Sequence, residues 1–159
     1  MITKIISGGQ TGADRAALDF AIKNNIPHGG WVPEGRKTEE GRLPDRYQLQ
    51  EMPTDDYSKR TEKNILDSDG TLIVSHGFLT GGSALTREFS NKHNKPWIHL
   101  DMNVISIDTA AESLRSWIIR SEIKVLNVAG SRGSKDPEIY QATTDLLEKT
   151  FVGIFTGKI

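Results

Sequence analysis

The sequence predicts an α/β protein, a three-layer α/β/α sandwich around a mainly parallel sheet. Two observations lead there. Short apolar runs alternate with amphipathic helical stretches along the chain, the pattern of β-α-β units with right-handed crossovers. Three strand-to-helix junctions are built from glycine and small polar residues: Ser7 to Gly12, Thr80 to Ser83 and Gly130 to Ser134. A length of 159 residues suits a single domain over 1–159 with one substantial core.

The elements follow in order. Ile5 to Ser7 reads as a short buried strand. From about Gly12 to Asn24 the apolar residues Ala13, Ala16, Ala17, Phe20 and Ala21 make the i, i+3, i+4, i+7, i+8 stripe of a helix packed on a sheet. Thr11 is the expected N-cap, with Asp14 three residues on. His28 to Pro33 reads as a second strand, and the polar stretch Pro33 to Pro44 as a long loop, a frequent carrier of function. Tyr57 to Ser68 reads as a helix that sets Arg60 and Asn64 on one face. Thr71 to Ser75 is a buried strand, followed by a helix from Thr80-Gly81-Gly82-Ser83 to about His93. Trp97 to Leu100 is a strand, and Asp108 is the expected cap of a helix reaching Ser121. Lys124 to Ala129 is a strand. Asp136-Pro137 is the expected start of the last helix, to about Lys149, with Phe151 to Phe155 as an edge strand or packed tail.

Composition narrows the function. Hydrophobic residues make up 36% and charged residues 26%, with a net charge of −1, so no global field attracts nucleic acid. The chain has no cysteine, which excludes disulfides, thiolate metal ligands and cysteine nucleophiles. Met1-Ile2-Thr3-Lys4 runs straight into a strand, and no apolar run approaches the roughly 20 residues of a membrane span. The expectation is a cytoplasmic protein with no signal peptide and no membrane contact.

In a parallel sheet all strand-to-helix junctions lie at the carboxyl edge, where ligands bind at the point of reversed strand order. The three glycine junctions can therefore share one crevice. The first, Ser7-Gly8-Gly9-Gln10-Thr11-Gly12, is neither the dinucleotide fingerprint nor a Walker loop. It has the makings of an anion cradle, with glycines for close approach and a helix start for N–H donors; a tight turn feeding a helix has the same look. Thr80 and Ser83 flank a diglycine and suit a phosphate or a ribose hydroxyl. Arg132, Arg15, Arg36 and Arg60 are candidate anion clamps. Glu88 is a candidate acceptor for ribose hydroxyls, or a general acid or base. Asp67 and Asp69 have the composition of a Mg²⁺ pair but equally that of a helix end. The four histidines lack metal-ligand spacing, so no metal site is expected. His76, at a strand end, is a weak site candidate, and Trp31 a candidate stacking platform. Leu18 and Ile22, off the main helix stripe, hint at a homodimer.

These residues also carry a resemblance. Ser7 to Asp19, Gly29-Gly30-Trp31-Val32-Pro33 with Gly35-Arg36, Arg60-Thr61-Glu62 with Asn64, Asp67-Ser68-Asp69, Leu79 to Thr86 with Glu88, and Val128 to Arg132 resemble the bacterial family named molybdenum carrier proteins. That family is similar to the YpsA-like branch of the SLOG superfamily, which joins DNA-processing protein A and the cytokinin-activating LOG enzymes. In YpsA-like proteins the strand ending in Gly-x-[Arg/Lys] comes first. Here Gly130-Ser131-Arg132 comes last, so the chain looks circularly permuted, a change tolerated when termini lie close together.

The resemblance implies a Rossmann-like fold that holds a nucleotide-like ligand, with molybdenum cofactor or molybdate as the implied cargo. Gly8, Gly9, Gly12, Gly81 and Gly82, with Thr11, Thr80 and Ser83, would line the phosphate site. Asp14, Arg60, Asn64, Glu88 and Arg132 would face the ligand, and Gln10 and Ser131, within the matched motifs, are further ligand- or phosphate-binding candidates. The LOG motif P-G-G-x-G-T-x-x-E is matched only in its diglycine and Glu88. A carrier is therefore the first expectation, a nucleoside-monophosphate phosphoribohydrolase using Glu88 the alternative, and single-stranded DNA binding a weaker third.

Overall fold

The computed structural model describes residues 1–155. In chain order the elements are β1 (Lys4–Ile6), α1 (Ala13–Lys23), β2 (His28–Gly29), β3 (Trp31–Val32), β4 (Lys37–Thr38), β5 (Gly41–Arg42), β6 (Gln50–Glu51), α2 (Tyr57–Leu66), β7 (Gly70–Ser75), α3 (Gly81–Lys92), β8 (Trp97–Asp101), α4 (Ile107–Arg120), β9 (Val125–Gly130) and α5 (Ile139–Phe155). The main sheet runs β2-β1-β9-β7-β8, parallel throughout. Its central strand is thus the last in sequence. Numbered from β9 onward, the spatial order becomes 3-2-1-4-5, the doubly wound arrangement. Circular permutation is visible directly in this sheet.

The two faces of the sheet differ in kind. Helices α1, α4 and α5 pack together on one face, and α2 packs against α3 on the other. The first face holds the apolar core, where Leu72 and Val74 of β7 and Leu126 and Val128 of β9 meet Ala17, Phe20, Leu114, Leu146 and Leu147. Each large side chain buried there contributes about 1.5–3 kcal/mol. Strand residues of opposite parity point the other way, and there polar groups prevail. Asn127 Nδ2 donates to Thr71 Oγ1 at 3.1 Å, while α2 and α3 bury Arg60, Asn64, Ser83, Thr86 and Ser90. One face is a dry core; the other is a polar floor.

The segment between β2 and α2 departs from the single strand and loop expected. The run His28 to Pro33 breaks at Gly30, whose φ is +124°, into β2 in the main sheet and β3, which pairs with β6. The expected loop contains a 3-10 turn (Glu34–Arg36) and the β4–β5 hairpin. The excursion has its own small core of Val32, Leu43, Tyr47 and Leu49 against Leu18. Leu18 is fully buried, so it gives no support to pairing of two chains. Arg36 is a structural pin. Its buried guanidinium donates to the carbonyls of Leu43, Pro44, Tyr47 and Leu49, which closes the excursion on itself.

Three helix ends differ from the expectation. Gly12, not Thr11, occupies the cap of α1. Gly12 has φ +83°, and an added Cβ would sit 2.3 Å from Ser131 O, so only glycine fits there. Ser106 rather than Asp108 caps α4, accepting from Thr109 N. The last helix starts at Ile139, two residues after Pro137, and runs through Phe151 to Phe155, so no edge strand forms there. Among the described residues, no helix is long and apolar enough to cross a membrane.

Candidate functional site

The carboxyl ends of β9 and β7 flank the point where strand order reverses, and a cavity of about 370 Å³ opens there. That volume is within the range of small-molecule sites. The three glycine junctions meet at it. Gly8 and Gln10 come from the first, Thr80, Gly81, Gly82 and Ser83 from the second, and Gly130, Ser131 and Arg132 from the third. Asp14 from α1 and Arg60 and Asn64 from α2 complete the polar lining, with Tyr57, Leu85, Asn127 and Lys135.

The start of α3 is the open anion-binding end. Thr80 is extended and makes no side-chain cap, and the carbonyl of Thr80 takes the amides of Ser83 and Ala84. The amides of Gly81 and Gly82 precede the first intrahelical bond and are left without a partner among the described residues, at the positive end of the helix dipole. An added Cβ on Gly82 would meet nothing within 4 Å, and one on Gly81 would lie 3.7 Å from Lys135 Nζ. Lys135 donates to Thr80 Oγ1. Arg132 is exposed beside it, its Nε 3.4 Å from Glu39 Oε1.

The start of α1 is the opposite case, and the cradle expected there is filled by the protein itself. The Gly9 amide donates to Ser7 Oγ, the Gln10 amide to Asp14 Oδ2 at 3.2 Å, the Thr11 amide to Gln10 Oε1, and the Ala13 amide to Ser131 O. Gly9 packs under Leu43 and Leu49. Thr11 donates to Glu39 and accepts from the Gly133 amide. Arg15 donates to Gly9 O and lies 5.2 Å over the Tyr47 ring. None of Gly9, Thr11, Gly12, Arg15 or Arg36 lines the cavity. Gly9, Thr11, Gly12 and Arg15 pack and tie the turn itself, and Arg36 closes the excursion.

Beneath the cavity mouth lie two opposite charges. Arg60 is 7% exposed and donates from Nη1 to Gly8 O. Gly8 must lack a side chain, because a Cβ would fall 2.4 Å from that Nη1. Burial pushes the Arg60 guanidinium below its ordinary pKa, opposed by Asp14. Asp14 is 8% exposed. Burial pushes its carboxyl up to about 6, against the pull of Arg60 and the Gln10 amide. The two charges attract one another, while their hydrogen bonds go to the first junction, Asp14 taking the Gln10 and Gly8 amides and Arg60 donating to Gly8 O.

Other sequence candidates fall elsewhere. Glu88 is exposed on α3, outside the cavity. Asn64 lines the cavity, yet its amide is committed to both backbone groups of Trp31. The Trp31 indole donates to Asp67, which also takes Lys63. Asp69 accepts the amides of Lys124 and Val125. His76 pairs with Asp136 at 2.7 Å. No cluster of metal-ligating side chains occurs among the described residues.

Sequence reasoning missed Tyr57, Asn127, Lys135 and Glu39. Asn127 interrupts the apolar run of β9, and a polar residue inside a buried strand is a readable signal. Lys135 stands three residues after Arg132 in one turn. Glu39 had no local signal. Burial raises its pKa, but bonds from Ser134, then Thr11, and the nearby Arg132 hold it below the usual carboxylate range. It clips the β4–β5 hairpin to the third junction.

Comparison with known proteins agrees with this architecture. No curated protein matches the chain. A crystal structure from Syntrophus aciditrophicus SB, whose protein bears the provisional name of molybdenum carrier protein, is 68% identical with a TM-score of 0.94. The match covers 94% of this chain and 95% of that one. Residues 5–151 match the circularly permutated YpsA SLOG family. With its last strand at the centre of a doubly wound sheet and its glycine junctions around one cavity, the chain belongs to that family.

Proposed function

We propose that this protein binds and carries a phosphorylated, nucleotide-like ligand in the cavity at the β9–β7 switch point. The observation that carries the reading is the start of α3. Two unpartnered amides, Gly81 and Gly82, sit beside Lys135 and Arg132. A phosphate there would accept both amides and neutralise both cations. The provisional name of the Syntrophus relative makes molybdenum cofactor, a phosphorylated pterin, the first cargo to try. Molybdate alone, a tetrahedral oxyanion, suits the same donors. A phosphoribohydrolase using Glu88 is disfavoured, because Glu88 stands outside the cavity; Asp14 is the carboxyl that lines it, and release of base from nucleoside monophosphates, lost in Asp14→Asn, would overturn carriage in favour of turnover.

The test is calorimetric titration with nucleoside monophosphates, the matching nucleosides, molybdate and molybdenum cofactor. Phosphorylated ligands should bind and their dephosphorylated forms should lose most of the affinity. Equal binding of a nucleoside and its phosphate would refute the placement at α3. Absence of binding by every phosphorylated compound at millimolar concentration would refute the function.

A further inference from the structure

We infer that Asp14 and Arg60 form a paired reader for the lactam edge of a heterocycle, an adjacent C=O and N–H as in guanine or a pterin. The inference rests on the proposed function and adds to it the class of ring that is selected.

Both side chains are more than nine-tenths buried and both line the cavity. Both have unused capacity. Arg60 commits Nη1 to Gly8 O, while its Nε and Nη2 have no partner among the described residues. Asp14 commits Oδ2 to the Gln10 amide and is also drawn on by the Gly8 amide, which still leaves lone pairs free on a carboxylate that can accept about four bonds. The free positions are not sealed from solvent and line the open cavity, where a ligand would take the place of water as their partner. One group here is a pure donor and the other, when ionised, a pure acceptor. Their complement is a flat group that offers an acceptor beside a donor. A ring lactam does so: its C=O takes an Arg60 N–H, and its N–H donates to the Asp14 carboxylate. The surroundings suit a ring, with Leu85 and Tyr57, whose ring lies 5.3 Å from the Arg60 guanidinium, among the lining residues.

Phosphate is the rival occupant of this floor. Above pH 6 the Asp14 carboxylate repels it, whereas the start of α3 offers two unpartnered amides and two exposed cations. The ligand therefore lies with its ring on the floor and its phosphate at the mouth. Adenine lacks the required edge: where guanine has N–H it presents a bare ring nitrogen, and where guanine has C=O it presents an amine.

The experiment is calorimetry at pH 7.5 with GMP, AMP and 6-hydroxymethylpterin monophosphate, on the wild-type chain and on Asp14→Asn. Loss of two hydrogen bonds should make the site prefer GMP over AMP by roughly 100-fold, and the pterin arm reports which lactam ring fits better. In Asp14→Asn the amide oxygen keeps the Gln10 amide and Nδ2 faces the cavity as a donor, so the preference should vanish or invert while AMP still binds. Equal wild-type affinity for GMP and AMP would overturn the ring assignment and leave the phosphate-carrier reading standing. A preference for GMP that survives in Asp14→Asn would remove Asp14 from the reading. No binding by any of the three would overturn both.

Discussion

Asp14→Asn should make the protein more stable at neutral pH, and the gain should depend on pH in a fixed way. In the unfolded chain the carboxyl titrates near 3.8, and in the native protein at about 6 because burial disfavours its charge. The native state thus holds the proton more tightly than the unfolded state. Below pH 3.8 the group is neutral in both states and costs nothing. As pH rises from there to 6 the native state loses stability relative to the unfolded one, and above 6 the loss is constant. A difference of about 2.2 units corresponds to roughly 3 kcal/mol. Asparagine carries no charge and keeps an acceptor for the Gln10 amide, so most of that loss should be recovered. For a domain of this size the midpoint should rise by roughly 6–12 °C. Thermal denaturation followed by circular dichroism from pH 3.5 to 8 would measure it. The difference between variant and wild type should be near zero at pH 3.5 and reach its full value above pH 6.5. A variant equal to or less stable than wild type at pH 8, or a gain unchanged across the range, would refute the argument. Stability surrendered at a cavity-lining carboxylate is the ordinary mark of a binding site.

Three other perturbations test separate parts of the structure. Gly82→Ala should stabilise α3 by about 0.5–1 kcal/mol, because its Cβ meets no atom, while the methyl crowds the anion end; chemical denaturation and nucleotide titration should move in opposite directions. Arg36→Met should cost about 3 kcal/mol or more, since it strips four carbonyls of the 33–51 excursion of their donor; an unchanged urea midpoint would show that water replaces the guanidinium without loss. Glu39→Ala should leave the sheet intact but release the third junction, seen as faster hydrogen exchange at Ser134, whose amide it holds at 3.1 Å.

Much of the layered architecture was legible because it rests on local pattern. The α1 stripe was readable from alanines at helical spacing, and β7 from an apolar run between turn residues, since a strand buried on both faces has no polar alternation to lose. The resemblance supplied the permutation, which no local pattern carries. The site was legible only in part, for a physical reason. Residue type gives capacity for hydrogen bonding, whereas tertiary placement decides which capacity is already used. The first glycine junction had the composition of an anion cradle, but Ser7, Gln10 and Asp14 satisfy its amides. Arg36 had the chemistry of a clamp, but the coil of residues 43–49 brings four carbonyls to it. Leu18 broke the helix stripe only because the excursion supplies a second core. Cap errors at Thr11 and Asp108 were shifts of one or two positions between residues of similar capping chemistry.

The position of β9 bears on how this chain is made. Strands β1 and β7 touch β9 and not one another. While a ribosome is still producing the chain, β1 can pair with β2, and β7 with β8, but the two pairs have no edge in common. Only when the segment after α4 emerges does a strand insert between them and create, in one event, both the continuous sheet and the cleft with Asn127 and Arg132. Until then two unpaired inner edges stand exposed on the nascent polypeptide, the circumstance in which chaperones are recruited.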